Sequence, residues 1–221
     1  MAAPQLPKYT PSSLIVKYDA VLFPFDVVSM LNALPDQGYI LEDELRHLGT
    51  SGLQVRGIVA RRADVAIRID TDKYLLGVNT SSHVVAVEEL EAVEQILDEQ
   101  LGFEGGPKAQ YHEFTSRFPV RAGTDPISSW ADRFSNNPVL TALSNVLGEP
   151  ASPFGLRLSP AGQPPNQVDW FDIHLEPLVG SARTHHHLNV VYRKAQRAAV
   201  VDFISRFGDI MTNMLSIVEG R

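Results

Sequence analysis

The sequence predicts an α+β protein of two tandem strand–helix–antiparallel-strands–helix halves, with the helices packed on one face of a curved antiparallel sheet. Three observations lead there. Short runs of alternating apolar and polar residues recur between turn signals. Each half closes on a long stretch with apolar residues at helical spacing. The order of elements is the same in both halves, although no residue-by-residue repeat accompanies it.

In the first half, Leu14 to Phe23 reads as a strand stopped by Pro24. Asp26 caps a short helix carrying Val27, Met30, Leu31 and Leu34. Pro35-Asp36-Gln37-Gly38 is a turn signal. Tyr39–Leu45, Leu53–Ala60, Asp64–Asp70 and Tyr74–Val78 follow as strands. The third shows the cleanest alternation, Val65, Ile67 and Ile69 against Ala66, Arg68 and Asp70. Val87–Leu101 is an amphipathic helix with Leu90, Val93, Leu97 and Leu101 on one face, and Gly102 ends it.

The second half reads the same way. Tyr111–Phe118 is a strand. Asp125-Pro126 opens a helix with Ile127, Trp130, Ala131 and Phe134 on one side. Asn137-Pro138 opens another, carrying Val139, Leu140, Leu143, Val146 and Leu147 up to Gly148. Phe154–Leu158, Trp170–Leu175 and Leu188–Tyr192 are strands. One long helix then ends the chain, with Ala199, Phe203, Phe207, Ile210, Met214 and Val218 as its buried stripe. The expected organisation is an extended N-terminal arm (1–12), a first half (13–103), a linker around Gly105-Gly106-Pro107 (104–108) and a second half (109–221).

This order of elements resembles the saddle of the TATA-binding-protein-like folds. The strand Trp170 to Leu175, the His-rich strand through Leu188-Asn189-Val190, and the helix with Phe203 and Phe207 resemble a sporadically distributed family of uncharacterised prokaryotic proteins. That second resemblance carries no activity with it, and a shared fold does not specify function.

Composition narrows the chemistry. The 221 residues include 19 basic and 26 acidic side chains, a net charge of −7, and no cysteine. Disulfide scaffolds, thiolate zinc sites and cysteine nucleophiles are excluded. The acidic excess lies in residues 1–108. There Glu88, Glu89, Glu91, Glu94, Asp98 and Glu99 crowd one helix with no Lys or Arg among them, either as a solvated face or as a docking surface for a basic partner. Such a surface repels phosphate, so nucleic acid is not the expected partner. No secretory signal and no membrane-spanning run is evident, and a cytoplasmic protein is expected.

One stretch concentrates chemistry. Four of the seven histidines fall between 174 and 187. If Phe171, Ile173 and Leu175 face the core, then Trp170, Asp172, His174 and Glu176 face away. Likewise Leu188, Val190 and Tyr192 put His185, His187, Asn189 and Arg193 on the outer face and turn His186 inward. A hairpin would bring Glu176 near His185, His174 near His187, and Asp172 near Asn189. His174, His187, His185, Glu176 and Asp172 then form a candidate site for zinc or manganese. Trp170, Asn189 and Arg193 are candidate contacts for a ligand or partner, with Trp170 as a pocket wall or a seal.

No phosphate-binding loop, dinucleotide fingerprint or nucleophile elbow is present. The leading expectation is a non-enzymatic binding or protein-interaction module using the open sheet face, with a protein partner or a second copy. A metal-dependent hydrolase and a small-ligand binder are the alternatives.

Overall fold

Period-two alternation lays nine antiparallel strands side by side in one open sheet, seen in a computed structural model that describes residues 6–19, 25–43, 54–101, 109–165 and 167–221. The first strands and helices are β1 (Ser12–Tyr18), α1 (Val27–Ala33), β2 (Ile40–Leu41), β3 (Arg56–Arg62), β4 (Val65–Asp70), β5 (Leu75–Thr80) and α2 (His83–Leu101). Then come β6 (Ala109–Arg121), α3 (Pro126–Phe134), α4 (Pro138–Leu147), β7 (Leu156–Leu158), β8 (Trp170–Pro177), β9 (His185–Lys194), α5 (Arg197–Ser205) and α6 (Phe207–Val218). The strand order is β2-β3-β4-β5-β1-β6-β9-β8-β7, so β1 and β6 meet in the middle and β2 and β7 are edges.

The alternation decides which face is buried. Leu14 and Val16 on β1, Ile67 and Ile69 on β4, Leu76 and Val78 on β5, Phe114 and Phe118 on β6, and Leu188 and Val190 on β9 all join one core. The helices supply the other layer: Leu90, Val93 and Leu97 from α2, Met30 and Leu31 from α1, and Phe203, Phe207, Met211 and Leu215 from α5 and α6. Phe207 sits edge-on to Phe114 at 5.2 Å and to Phe118 at 5.9 Å. Each such side chain contributes about 1.5–3 kcal/mol by leaving water. Intervening residues such as Ser13, Ile15, Glu113, Thr115, His174 and Asn189 are only half-buried, because no helix covers that side.

The helix starts follow the sequence. The carboxylate of Asp26 accepts from Val28 and Ser29 N–H, that of Asp125 from Ile127, and the Asn137 side chain from Val139 and Leu140. Trp130 is buried and stacks on Phe134.

Other expectations need correction. The Tyr39–Leu45 strand reduces to Ile40–Leu41 within the described residues, and residues 20–23 of the first strand lie outside them. The third strand runs on past Ala60 to Arg61 and Arg62, which pair with Glu42 and Glu89. The long C-terminal helix is two helices that meet at Arg206. Ser205 Oγ donates to the Asp202 carbonyl and Gly208 follows, so local bonding competes with the helical ladder there. The acidic face of α2 is partly matched from within: Arg197 of α5 pairs with Glu91 and Glu94, while Arg62 and the Tyr39 hydroxyl engage Glu89.

No helix among the described residues is long and apolar enough to cross a membrane.

Candidate functional site

The uncovered face of β8 and β9 presents the side chains that parity assigned to it. Ile173, Leu175, Leu188 and Val190 are buried, while Asp172, His174, Glu176, His185, His187 and Asn189 lie on the other side, half-exposed. His186 is fully buried, as its parity requires.

The hairpin register differs from expectation by two residues. Glu176 lies opposite His187, His174 opposite Asn189, and Asp172 opposite Val191. A slip of two keeps every side chain on its face and changes every neighbour. The loop explains it. Leu178 N–H bonds to the His185 carbonyl, and Thr184 and His185 N–H close a turn on the Ser181 carbonyl. His185 is therefore tied to the turn, and the ladder reaches Glu176 only at His187.

Glu176 consequently stands between two imidazoles. His174 Nε2 is 3.3 Å from its carboxylate and His187 Nδ1 is 3.6 Å away. Gly155 makes room beside it, since a Cβ there would come within 2.9 Å of the Glu176 Cβ. Arg117 of β6 donates from Nε to His187 Nε2 at 3.0 Å. A nitrogen that accepts this bond carries no proton, so the His187 proton sits on Nδ1, facing Glu176. Burial and the Arg117 charge hold the His187 pKa below its usual value, with Glu176 pulling the other way.

The other predicted ligands are engaged elsewhere. Asp172 receives a two-pronged bond from Arg157 of β7, Nε at 2.8 Å and Nη2 at 2.7 Å, which holds its carboxyl below the usual range. His185 lies opposite Arg121 and bonds through Nδ1 to Thr184 Oγ1 at 2.9 Å. Among the described residues, no group of three His, Asp or Glu side chains is arranged to hold a metal ion. A cation at His187 Nε2 would have to displace the Arg117 guanidinium.

Of the predicted contact residues, Arg193 pairs with Glu113 and lies 4.2 Å over the Tyr111 ring. Trp170, opposite Arg193, is 8% exposed. Asn189 lines a cleft of about 670 Å³ near the middle of the open face. Register places Asn79, Ser13 and Thr115 side by side on its floor, across β5, β1 and β6. Arg61 and Arg117 stand on its walls, and Trp170 takes no part in it. Sequence reading missed this cleft, because its residues come from separate strands and their only local signal is that each lies off the apolar parity.

Exchange of Glu176 for glutamine is expected to lower the His187 pKa further, since the carboxylate is the group that raises it. Histidine-ring NMR titration reads this directly, and an unmoved His187 resonance would show that the two are uncoupled.

Compared with protein-family models, with curated proteins and with solved structures, the chain matches none.

Proposed function

We propose that this chain is a non-enzymatic binding module that receives another protein on its open sheet face. The observation that carries the reading is the alternation of buried residues with half-exposed or exposed ones along β1, over His112–Arg121 of β6, Ile173–Pro177 of β8 and His185–Val190 of β9, which leaves a broad sheet surface without a helical layer. The strand order supports a duplicated saddle. β2-β3-β4-β5-β1 and β6-β9-β8-β7 run outward from a shared centre, each interrupted by helices after its first strand and closed by helices after its last.

The chemistry of the face favours a polar contact. Several of its cations are engaged from within, Arg157 by Asp172, Arg193 by Glu113 and Arg61 by Glu42, and Arg117 is bonded to His187, while Arg68 Nε on the same face has no hydrogen-bond partner among the described residues. The hydroxyl and amide groups of Ser13, Asn79, Thr115 and Asn189 remain to meet a partner. With a net charge of −7, the chain does not suit a phosphate backbone. A small polar ligand in the cleft is the second reading, favoured by a volume within the range of ligand sites.

Photo-crosslinking residues at Thr115 and Asn189 should yield the same discrete adduct in cells, while one at Glu88 on the outside of α2 should not. Adducts from all three positions, or from Glu88 alone, would refute the open-face reading. A cleft-bound small molecule with no protein adduct would favour the second reading.

A further inference from the structure

Helix α4 is built against the usual logic of an amphipathic helix. Its apolar residues Val139, Leu140, Leu143, Val146 and Leu147 follow the i, i+1, i+4, i+7, i+8 spacing of a core-facing stripe. Yet none of its ten residues is buried. Val146 is 83% exposed, Leu147 67% and Val139 64%. The helix is nevertheless well specified at both ends. Asn137 caps two N–H groups, Pro138 holds the first turn, and Gly148 closes it with φ +72°. A helix this short is marginal without packing, and contiguous exposed apolar patches mark contact sites.

We propose that α4 is the contact through which two copies of this chain associate. Charge points to a second copy. From Ser135 to Leu156 the only charged side chain is Glu149, in a chain whose net charge is −7. Two copies of an acidic protein repel each other, and they meet with least repulsion through a surface that carries no charge. A basic protein would instead find its complement on the acidic first half. A bilayer surface is matched by helices rich in Lys and Arg on the polar face, whereas α4 shows only Thr141, Ala142, Ser144 and Asn145 there.

Size sets the strength. The helix is about 15 Å long, and two such stripes crossing antiparallel about a two-fold axis cover less than the ~1,600 Å² of a standard stable interface. The dimer is therefore reversible and depends on concentration. The stripe shares no residue with the cleft on the open sheet face, so this inference stands apart from the binding-module reading.

Sedimentation velocity from about 1 µM to about 500 µM tests it. The expected result is a shift from the 24.4 kDa monomer toward twice that mass. Val146→Glu should weaken association at least ~10-fold while preserving far-UV circular dichroism, because that side chain touches little in the monomer. The chain has no cysteine of its own, so Leu143→Cys, at the centre of the stripe, should give a disulfide dimer on oxidation and Glu88→Cys should not. A strict monomer across the range, or a dimer indifferent to V146E, would overturn the proposal. So would V146E-sensitive flotation of a monomer with phosphatidylcholine vesicles. Loss of the dimer in V146E with Thr115 crosslinks intact would separate the two surfaces.

Discussion

Replacement of Glu219 by alanine is expected to lower the unfolding free energy by about 2–4 kcal/mol, the cost of leaving buried donors without their acceptor. The side chain of Glu219 is fully buried just beyond α6. It accepts the Gly123 N–H at 3.0 Å, bonds to the Arg221 guanidinium, and lies 3.5 Å from His186 Nε2. Alanine would leave the Gly123 N–H and His186 without their acceptor and remove the carboxylate that Arg221 pairs with. Water cannot replace it for His186, which is itself completely buried. Glutamine should recover part of the loss, because an amide oxygen can still accept from Gly123. Urea titration checks both variants. The alanine variant should show a lower midpoint with an unchanged slope, and a loss under about 1 kcal/mol would mean that the carboxylate is hydrated after all. The pair also joins the end of α6 to β9 at His186, between the two histidines that point outward, so the variant should broaden the His187 ring signals as well.

Mild acid is the second large effect. His112, on the core side of β6, is pushed down to about 4, first by burial and then by the Arg197 charge, while a backbone hydrogen bond with Ala195 works the other way. An unfolded histidine titrates near 6.5. Below that value the unfolded chain takes up a proton that the folded ring refuses. The stability held by the neutral ring is complete above pH 6.5 and falls as the pH drops toward 4. The full difference amounts to about 3 kcal/mol, of which about 2 kcal/mol is lost by pH 5. His186 is held down by burial against the pull of Glu219, and burial lowers His83, so both add in the same direction. His112→Leu should flatten the dependence between pH 6.5 and 5, above the range where most carboxylates titrate. Identical pH slopes for wild type and H112L would show that the ring is not kept neutral by the fold.

The outward set of the histidine strands was legible because side-chain direction follows from position along a strand. Asp172, His174, Glu176, His185 and His187 therefore share a surface as expected, and His186 turns inward. Their neighbours were not legible. A loop that ties His185 to Leu178 and Ser181 moved the ladder by two, which put Glu176 against His187. Arg117 and Arg157 come from β6 and β7, far away in the chain, and they occupy His187 and Asp172. The candidate metal set was broken up by partners that no local pattern contains.

Helix α4 illustrates the same division. Its caps, length and apolar stripe can be read from ten residues and their flanks. That the stripe finds no core cannot, because periodicity shows that a face is apolar and not what lies beside it. The cleft formed by Asn79, Ser13, Thr115 and Asn189 depends likewise on which strands become neighbours. Facing, capping and helix spacing are properties of a short backbone segment and are written into its residues in order. Pairing register, strand order and the cover over each face arise from contacts between distant segments, where small differences in loop closure choose among arrangements that local patterning leaves equally good.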